Sequence, residues 1–301
     1  MGVYRGQENV CPWEDRVTLE ILKAVPRDPA LAERARRRPP LLFVHGAFCG
    51  AWIWQEHFLP WFADRGWEAY AVSLSGHGGS RDPDRLDQYG MAHFIADVGE
   101  AMTRIGRPPV LVGHSMGGMV VQKIMDAVPP GAPHLAGVVL MCSLSPWGLA
   151  PTGLYMSTAH PDLLREIAMI QMFGPEAATP QGMRAAMLSE HASDEDSRRW
   201  FERMQPESRL ASMQLTWLIP PAPTWLPESR PPVLVMGAGN DVFVPSWIVE
   251  ATARYYRADS LRIFPDTAHA MMLEPHWEDV AEGLEEWLMP FEASATLKAA
   301  A

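Results

Sequence analysis

Val110-Leu111-Val112-Gly113-His114-Ser115-Met116-Gly117-Gly118-Met119-Val120-Val121 is the stretch whose reading decides the fold. Val110-Leu111-Val112 is a short strand without polar alternation, the pattern of a strand buried on both faces. After the glycine the period changes, and Val120, Val121, Ile124 and Met125 recur at helical steps. Strand, abrupt turn and helix together lift one side chain, Ser115, above the edge of a parallel sheet. The glycines around it have a steric reason, because backbone that approaches this closely leaves no room for Cβ. The helix opening at Ser115 aims its unpaired N–H groups at the same spot and favours negative charge there.

Outward from this point the short apolar format recurs at Leu41 to Val44, Ala69 to Leu74, Val138 to Met141, Val233 to Met236 and Leu261 to Phe264. Arg16 to Val25 reads as a further strand, with Val17, Leu19 and Ile21 alternating against polar neighbours. Helical spacing links Met91, Phe94, Ile95, Val98, Met102 and Ile105, and later Trp277, Val280, Ala281, Leu284, Trp287 and Leu288. Short buried strands alternating with amphipathic helices define an α/β fold, a mostly parallel central sheet flanked by helices on both faces. Pro26 to Pro40 reads as a linker, and its basic run Arg34 to Arg38 as a solvated one.

The alternation fails between Trp147 and Leu226, where Met156, Met169, Met172, Met183, Met187, Met204, Met213, Trp217 and Trp225 fall among helical or loop segments. Prolines bracket the stretch, Pro146 and Pro151 before it and Pro220, Pro221, Pro223 and Pro227 after it. The expected organisation is a core of residues 1–146 and 227–292, a helical cap of residues 147–226 inserted between core strands, and a disordered small-residue tail at 293–301.

Composition narrows the partners. At 48% hydrophobic and 20% charged residues the chain can bury a substantial core. Lys and Arg number 25 against 36 Asp and Glu, a net charge of −11. That balance repels phosphate backbones and anionic lipid heads, so nucleic acid is not expected as a partner. Cys11, Cys49 and Cys142 are too few and too scattered for a disulfide framework, and lack the paired spacing of a zinc site, so no metal is expected. No apolar run approaches the ~18 residues that span a bilayer, and Met1 to Arg16 has no signal-peptide core, so a cytoplasmic location is expected.

A serine hydroxyl is a poor nucleophile unless a base is placed against it. Downstream, the strand Val233 to Met236 ends in Gly237-Ala238-Gly239-Asn240-Asp241, and the next strand ends in Pro265-Asp266-Thr267-Ala268-His269. Both loops lie at the carboxyl ends of strands, where open α/β sheets build their sites. His269 is the expected base and Asp241 the carboxylate that orients it. Asp266 is a rival acid, disfavoured by its closeness to His269 along one loop. His45, His77 and His114 also fall near the site. His45 reads as a brace for its loop, and His114 as a structural residue whose side chain points away along the turn. Two backbone donors are expected for an oxyanion, Met116 N–H and, from His45-Gly46-Ala47-Phe48, Ala47 N–H.

With these residues in place the chain resembles a serine-type α/β-hydrolase of the lipase/esterase-like group, over roughly Val17 to Leu288. His45-Gly46-Ala47-Phe48 through Trp52 and Trp54 resembles that group's oxyanion loop. Ser73-Leu74-Ser75-Gly76-His77-Gly78-Gly79-Ser80 resembles its glycine-rich turn, with Ser73 where many relatives carry aspartate. Gly113 to Gly118 matches the nucleophile elbow. By analogy Phe48, Val242 and Ala270 border an acyl pocket.

Fold alone does not fix chemistry. The resemblance places a carboxylate nucleophile in haloalkane dehalogenases and soluble epoxide hydrolases, and a lysine after the histidine in hydroxynitrile lyases. Here those positions hold Ser115 and Ala270. Gly237-Ala238-Gly239 lacks the third glycine of a dinucleotide site, so no cofactor is expected. The expected reaction is hydrolysis of a carboxylic ester, thioester or lactone through an acyl-enzyme on Ser115. The Met and Trp content of the cap favours a small-molecule substrate with an apolar acyl or aromatic group. The same triad would serve a cofactor-free perhydrolase or a carbon–carbon bond hydrolase. A ligand-binding receptor on a hydrolase scaffold is the non-enzymatic alternative.

Overall fold

The computed structural model describes residues 19–127, 135–174, 177, 179–216 and 230–299, with backbone alone over 293–299. Seven strands form one sheet: β1 Ile21–Ala24, β2 Leu41–Val44, β3 Ala69–Val72, β4 Val110–His114, β5 Gly137–Met141, β6 Val233–Ala238 and β7 Ser260–Phe264. Their spatial order is β1-β3-β2-β4-β5-β6-β7, and every neighbouring pair is parallel except β1 with β3. Val17, the first residue of the expected β1 alternation, lies outside the described residues.

The uninterrupted apolar runs have the expected cause. Leu41 and Phe43 join a core on one face of the sheet with Trp54, Phe58, Phe62, Trp67 and Leu284. Leu42 and Val44 join a second core on the other face with Phe94, Val98, Val120, Val121 and Ile248. A strand covered on both sides has no position left for a polar residue. The covering helices are α2 Trp52–Gln55, α3 Phe58–Ala63 and α12 Trp277–Ala299 on the first face, and α4 Met91–Ile105, α5 Met116–Ala127 and α11 Ser246–Tyr256 on the second.

One expectation is corrected. Pro29–Arg37, inside the expected linker, is a helix, α1. Asp28 caps it by accepting from Ala30 N and Leu31 N, Pro29 occupies the first turn, and Arg34, Arg36 and Arg37 sit in the last turn, where the helix dipole favours cations. Arg38 is not solvated at all. It is 1% exposed, its guanidinium lies 4.2 Å over the Trp67 ring, and it donates to Arg65 O, Gly66 O and Glu292 Oε2. Arg34 adds a bidentate pair to Glu292 at 2.8 Å, and these hydrogen bonds pull the Glu292 carboxyl down to about 2. The backbone of α12 remains helical through Ala299, because an alanine-rich segment continues a helix already fixed by that Arg–Glu clamp.

Between β5 and β6 the described residues contain helices only: α6 Ala150–Ala159, α7 Pro161–Phe173, α8 Pro180–Met187, α9 Asp194–Phe201 and α10 Arg209–Thr216. Trp217, Trp225 and the trailing prolines Pro220, Pro221, Pro223 and Pro227 lie outside the described residues. Among those described, no helix is long and apolar enough to cross a membrane.

The turn between β4 and α5 leaves no room for Cβ at three glycines. A Cβ on Gly117 would fall 2.6 Å from the Val44 carbonyl oxygen and closer still to that of His45. A Cβ on Gly118 would meet the Ser143 side chain, and one on Gly113 would meet the Gly117 and Gly118 backbone. Gly117→Ala is therefore expected to lower stability by about 3 kcal/mol, the upper end of overpacking costs, because backbone of β2 must move. Gly99→Ala, where a Cβ would meet nothing within 4 Å, is the control, and urea midpoints of the two variants against wild type give the comparison.

Candidate active site

Ser115 sits on that turn with φ 52°, a left-handed conformation for a non-glycine residue. Such strain persists only where surroundings over-determine it. Here Ser115 N–H donates to Met141 O, and Ser115 O accepts from Leu144 N–H and Met119 N–H. The β2 loop presses against it from one side, since a Cβ on Gly46 would lie 3.0 Å from Ser115 Cβ and 2.9 Å from His114 Nδ1. Met116 begins α5, so its N–H has no acceptor within the helix.

The loops after β6 and β7 bring Asp241 and His269 together. His269 Nδ1 lies 2.8 Å from Asp241 Oδ2, and both residues are 4% exposed. The other carboxylate oxygen, Oδ1, accepts from Phe243 N–H at 2.8 Å and Val244 N–H at 2.9 Å. Burial alone would raise the Asp241 carboxyl, but His269 and the two backbone donors override it and hold the carboxyl below its usual range. Asp241 is thus an ionised acceptor with both oxygens engaged. The rival acid, Asp266, is exposed.

Cys142, with φ 41°, follows β5 and brings its thiol to the same carboxylate. Its sulfur, Asp241 and His269 form a cluster whose donor atoms lie within 4.8 Å of one another. Burial and then the Asp241 charge push this thiol well above its ordinary value, and both Asp241 oxygens are already engaged by His269 and two backbone N–H groups. The cluster is a hydrogen-bonded one that adds a further donor to Asp241.

The neighbouring histidines have separate work. His45 Nε2 accepts from Leu74 N–H at 3.0 Å, which fixes the tautomer so that Nδ1–H donates to Gly46 O at 2.7 Å. Burial, and then the nearby His77 charge, drop His45 to about 3, so it braces the β2 loop as a neutral ring. His114 does not point away along the turn. It still belongs to β4, so the two-residue period puts its side chain on the face of Val110 and Val112. There Nε2–H donates to His269 O at 2.9 Å, and the two rings lie 4.8 Å apart, tilted by 52°. Burial lowers His114 to about 3 as well.

A cavity of about 440 Å³ opens over Ser115, Met116 and His269, lined also by Gly46, Ala47 and Phe48. Its remaining wall comes from His114, Leu144, Leu149 and Phe243, from α6, α7 and α10, and from Met187 of α8. Of the expected pocket residues, Phe48 lines this cavity and Val242 does not. The Asp241 side chain turns the backbone within two residues, which carries Phe243 instead onto His269, ring to ring at 4.9 Å. Ala270 lines a separate, smaller cavity of about 40 Å³ with Trp52, Met183 and Trp200, because its N–H is drawn toward Met187 O on α8.

Sequence reasoning passed over Gln205 and Glu207, which precede α10. Phe48, at φ 63°, is held at both ends by this segment: its O accepts from Gln205 N–H at 3.0 Å, and its N–H donates to Glu207 Oε2 at 3.3 Å. Gln205 also accepts from Gly78 N–H and donates to Gly76 O. Glu207 Oε2 lies 3.1 Å from His77 Nε2, both side chains being at most 1% exposed. Nothing in the local sequence marks Gln205 or Glu207, since their partners lie more than a hundred residues away.

The pattern of the Alpha/beta hydrolase family matches residues 41–282, and the chain belongs to that family. Polyneuridine aldehyde esterase of Rauvolfia serpentina is 32% identical over 121 residues, 38% of this chain and 42% of that protein. Epoxide hydrolase 3 of Xenopus tropicalis is 35% identical over 89 residues, 29% of this chain and 24% of that protein. The chain thus spans less than half the length of these curated relatives. Among solved structures, a thermophilic esterase from Thermogutta terrifontis superposes with a TM-score of 0.69 at 19% identity, covering 91% of this chain and 94% of that one. A putative aryl esterase from Burkholderia cenocepacia gives 0.71 at 19% identity, covering 91% and 95%. At that identity the likeness is one of fold.

The buried His77–Glu207 pair has a pH signature. Burial pulls His77 down, but the Glu207 charge and hydrogen bond outweigh it and raise His77 above 6.5. A proton held more tightly in the folded chain stabilises it fully below the unfolded value, and the contribution is lost as pH rises through the folded one. Glu207→Gln is therefore expected to cost about 3 kcal/mol at pH 6, with the gap to wild type narrowing as pH rises from there. Paired Tm measurements across pH 6 to 9 check this, and a constant gap contradicts a charged His77.

Proposed function

We propose that the protein is a serine hydrolase that cleaves carboxylic esters of small, mainly apolar molecules. The observation that carries this reading is the 2.8 Å contact of His269 Nδ1 with an ionised, fully hydrogen-bonded Asp241, with His269 and Ser115 lining one cavity. With Nδ1 committed as a donor, the lone pair of the neutral imidazole is on Nε2, the atom free to take a proton from a hydroxyl.

In this reading the Ser115 Oγ attacks the ester carbonyl as its proton passes to His269 Nε2. Asp241 holds the ring in the needed tautomer and stabilises the imidazolium. The oxyanion is received by Met116 N–H and Ala47 N–H. Phe48 N–H is already engaged by Glu207, which favours Ala47 as the donor of that loop. Proton return from His269 expels the alcohol and leaves an acyl group on Ser115. Water, deprotonated by His269, then attacks the acyl carbonyl and releases the acid. The helices α6 to α10 serve as the cap, and Leu149, Met156, Leu164, Ile167 and Leu215 give the substrate its apolar surroundings. The esterases among the relatives and structural neighbours support the reaction class.

Ser115→Ala is expected to abolish turnover of p-nitrophenyl esters and labelling by a fluorophosphonate probe. Asp241→Asn, which favours the wrong imidazole tautomer, is expected to cut kcat by about 10⁴-fold. Retention of wild-type turnover by Ser115→Ala rejects the mechanism. A wild-type chain that takes up no fluorophosphonate points to a binding protein instead.

A further inference from the structure

The backbone on both sides of His269 is tied down as firmly as its ring. Ala268 N–H donates to Glu274 Oε1 at 3.2 Å, and Ala270 N–H donates to Met187 O at 2.8 Å. Between them, His269 O accepts from His114 Nε2–H at 2.9 Å. Of these three partners only His114 belongs to the sheet. Met187 is the last residue of α8, and Glu274 is itself bound to the turn that follows α8. Its Oε1 also accepts from Ser189 N–H at 2.6 Å, and its Oε2 accepts from Ser189 Oγ–H at 2.6 Å. Both residues are buried.

The α8 side of this joint is braced on the helix itself. Leu188 N–H donates to Arg184 O, the Arg184 guanidinium donates to Glu190 O and Ala192 O, and Ser189 Oγ accepts from His191 N–H. A carboxyl group taken out of water must find hydrogen-bond donors inside the chain. Glu274 finds its donors in two segments, one of them 85 residues earlier in the chain. Two oxygens gripping one residue fix direction as well as distance. With contacts at residues 268 and 270, a small shift of α8 reaches the peptide bearing the imidazole from both ends.

We infer that Glu274 is a positioning residue for His269, which it aligns by locking the loop after β7 to Ser189 at the end of α8. Met187 O completes the lock on the far side of the histidine. This rests on the hydrolase reading above and extends it to a residue that bonds to neither Ser115, Asp241 nor the imidazole ring. Proton transfer is more sensitive to placement than apolar binding is, and a misplacement of 1 Å costs about 100-fold in rate. Loss of the lock is therefore read in kcat rather than in KM.

The test uses the fact that both backbone donors share Oε1. Glu274→Gln keeps that oxygen and can donate from its Nε2 to Ser189 Oγ, whereas Glu274→Ala releases both segments. With p-nitrophenyl esters, well below the Tm of every variant, Glu274→Ala is expected to lower kcat at least ~10-fold with KM within ~2-fold. Glu274→Gln is expected to keep kcat within ~3-fold of wild type. Ser189→Ala, which removes only the Oγ contact, is expected to lower kcat less, and it carries the test if Glu274→Ala does not fold. A fall in Tm with kcat untouched overturns the inference, as does a loss confined to KM or a Gln variant as damaged as the Ala variant. A second readout needs no turnover. The proton held between His269 Nδ1 and Asp241 Oδ2 gives a low-field proton NMR signal, identified by its absence from His269→Gln. That signal is expected to move in Glu274→Ala, or in Ser189→Ala if the former does not fold, and to stay in place in Glu274→Gln. An unmoved signal overturns the positioning role. If wild type turns over no ester and takes up no fluorophosphonate while the signal still moves, the hydrolase reading fails and the positioning of His269 stands.

Discussion

The close approach of three backbone segments around Ser115 is the constraint on which the remaining geometry depends. β2, β4 and the start of α5 meet where Gly46, Gly113, Gly117 and Gly118 leave no volume for Cβ. That packing holds Ser115 in a left-handed conformation, directs its side chain out of the sheet and brings the β2 loop against it. It also fixes the first N–H of α5 and the N–H groups of the β2 loop relative to Ser115, since both belong to the pieces being pressed together. Strain at the turn is sustained by cores on both faces of the sheet. This makes the apolar strands, which carry no chemistry, a condition of the site.

The legible part of the chain was the part whose signals are local. Burial on both faces leaves no polar residue in a parallel strand, so β2 to β6 announce themselves as short apolar runs. The carboxyl ends of β6 and β7 locate Asp241 and His269 without knowledge of the fold's details. α1 has a sound helix start at Asp28-Pro29, but the prolines at both ends and the Arg34 to Arg38 run give its nine residues the composition of a solvated linker. All four of its arginines lie in the last turn or at the cap, and Arg38 is enclosed by Trp67 and Glu292, a residue more than 250 positions later. No local pattern reports such a pairing.

Errors within the site have the same origin on a finer scale. Whether Val242 or Phe243 faces His269 turns on one residue of backbone rotation, and that rotation is imposed by Asp241 Oδ1 gathering two N–H groups. The same carboxylate that orients the histidine therefore shapes the pocket wall beside it. His114 shows how strand period persists to the last residue before the turn. It remains on the face of Val110 and Val112 and supports His269 from beneath through its backbone carbonyl.

The helices between β5 and β6 are joined to the site through polar contacts as well as apolar ones. Gln205 and Glu207 hold Phe48 by both its N–H and its C=O, and hold the glycine-rich turn through Gly76, Gly78 and His77. Apolar contacts tolerate sliding, whereas hydrogen bonds from two adjacent loops fix a position and an orientation. The segment before α10 thus sets the register between the helical layer and the loop after β2 that borders Ser115. A reaction that needs donors placed to within a few tenths of an ångström gains from having that loop clamped from outside the sheet. It also follows that the helical layer is not a detachable cover. Its apolar wall could be exchanged for another of similar volume with modest consequence, but removal of the Gln205–Glu207 segment would release Phe48, and with it the backbone beside Ser115.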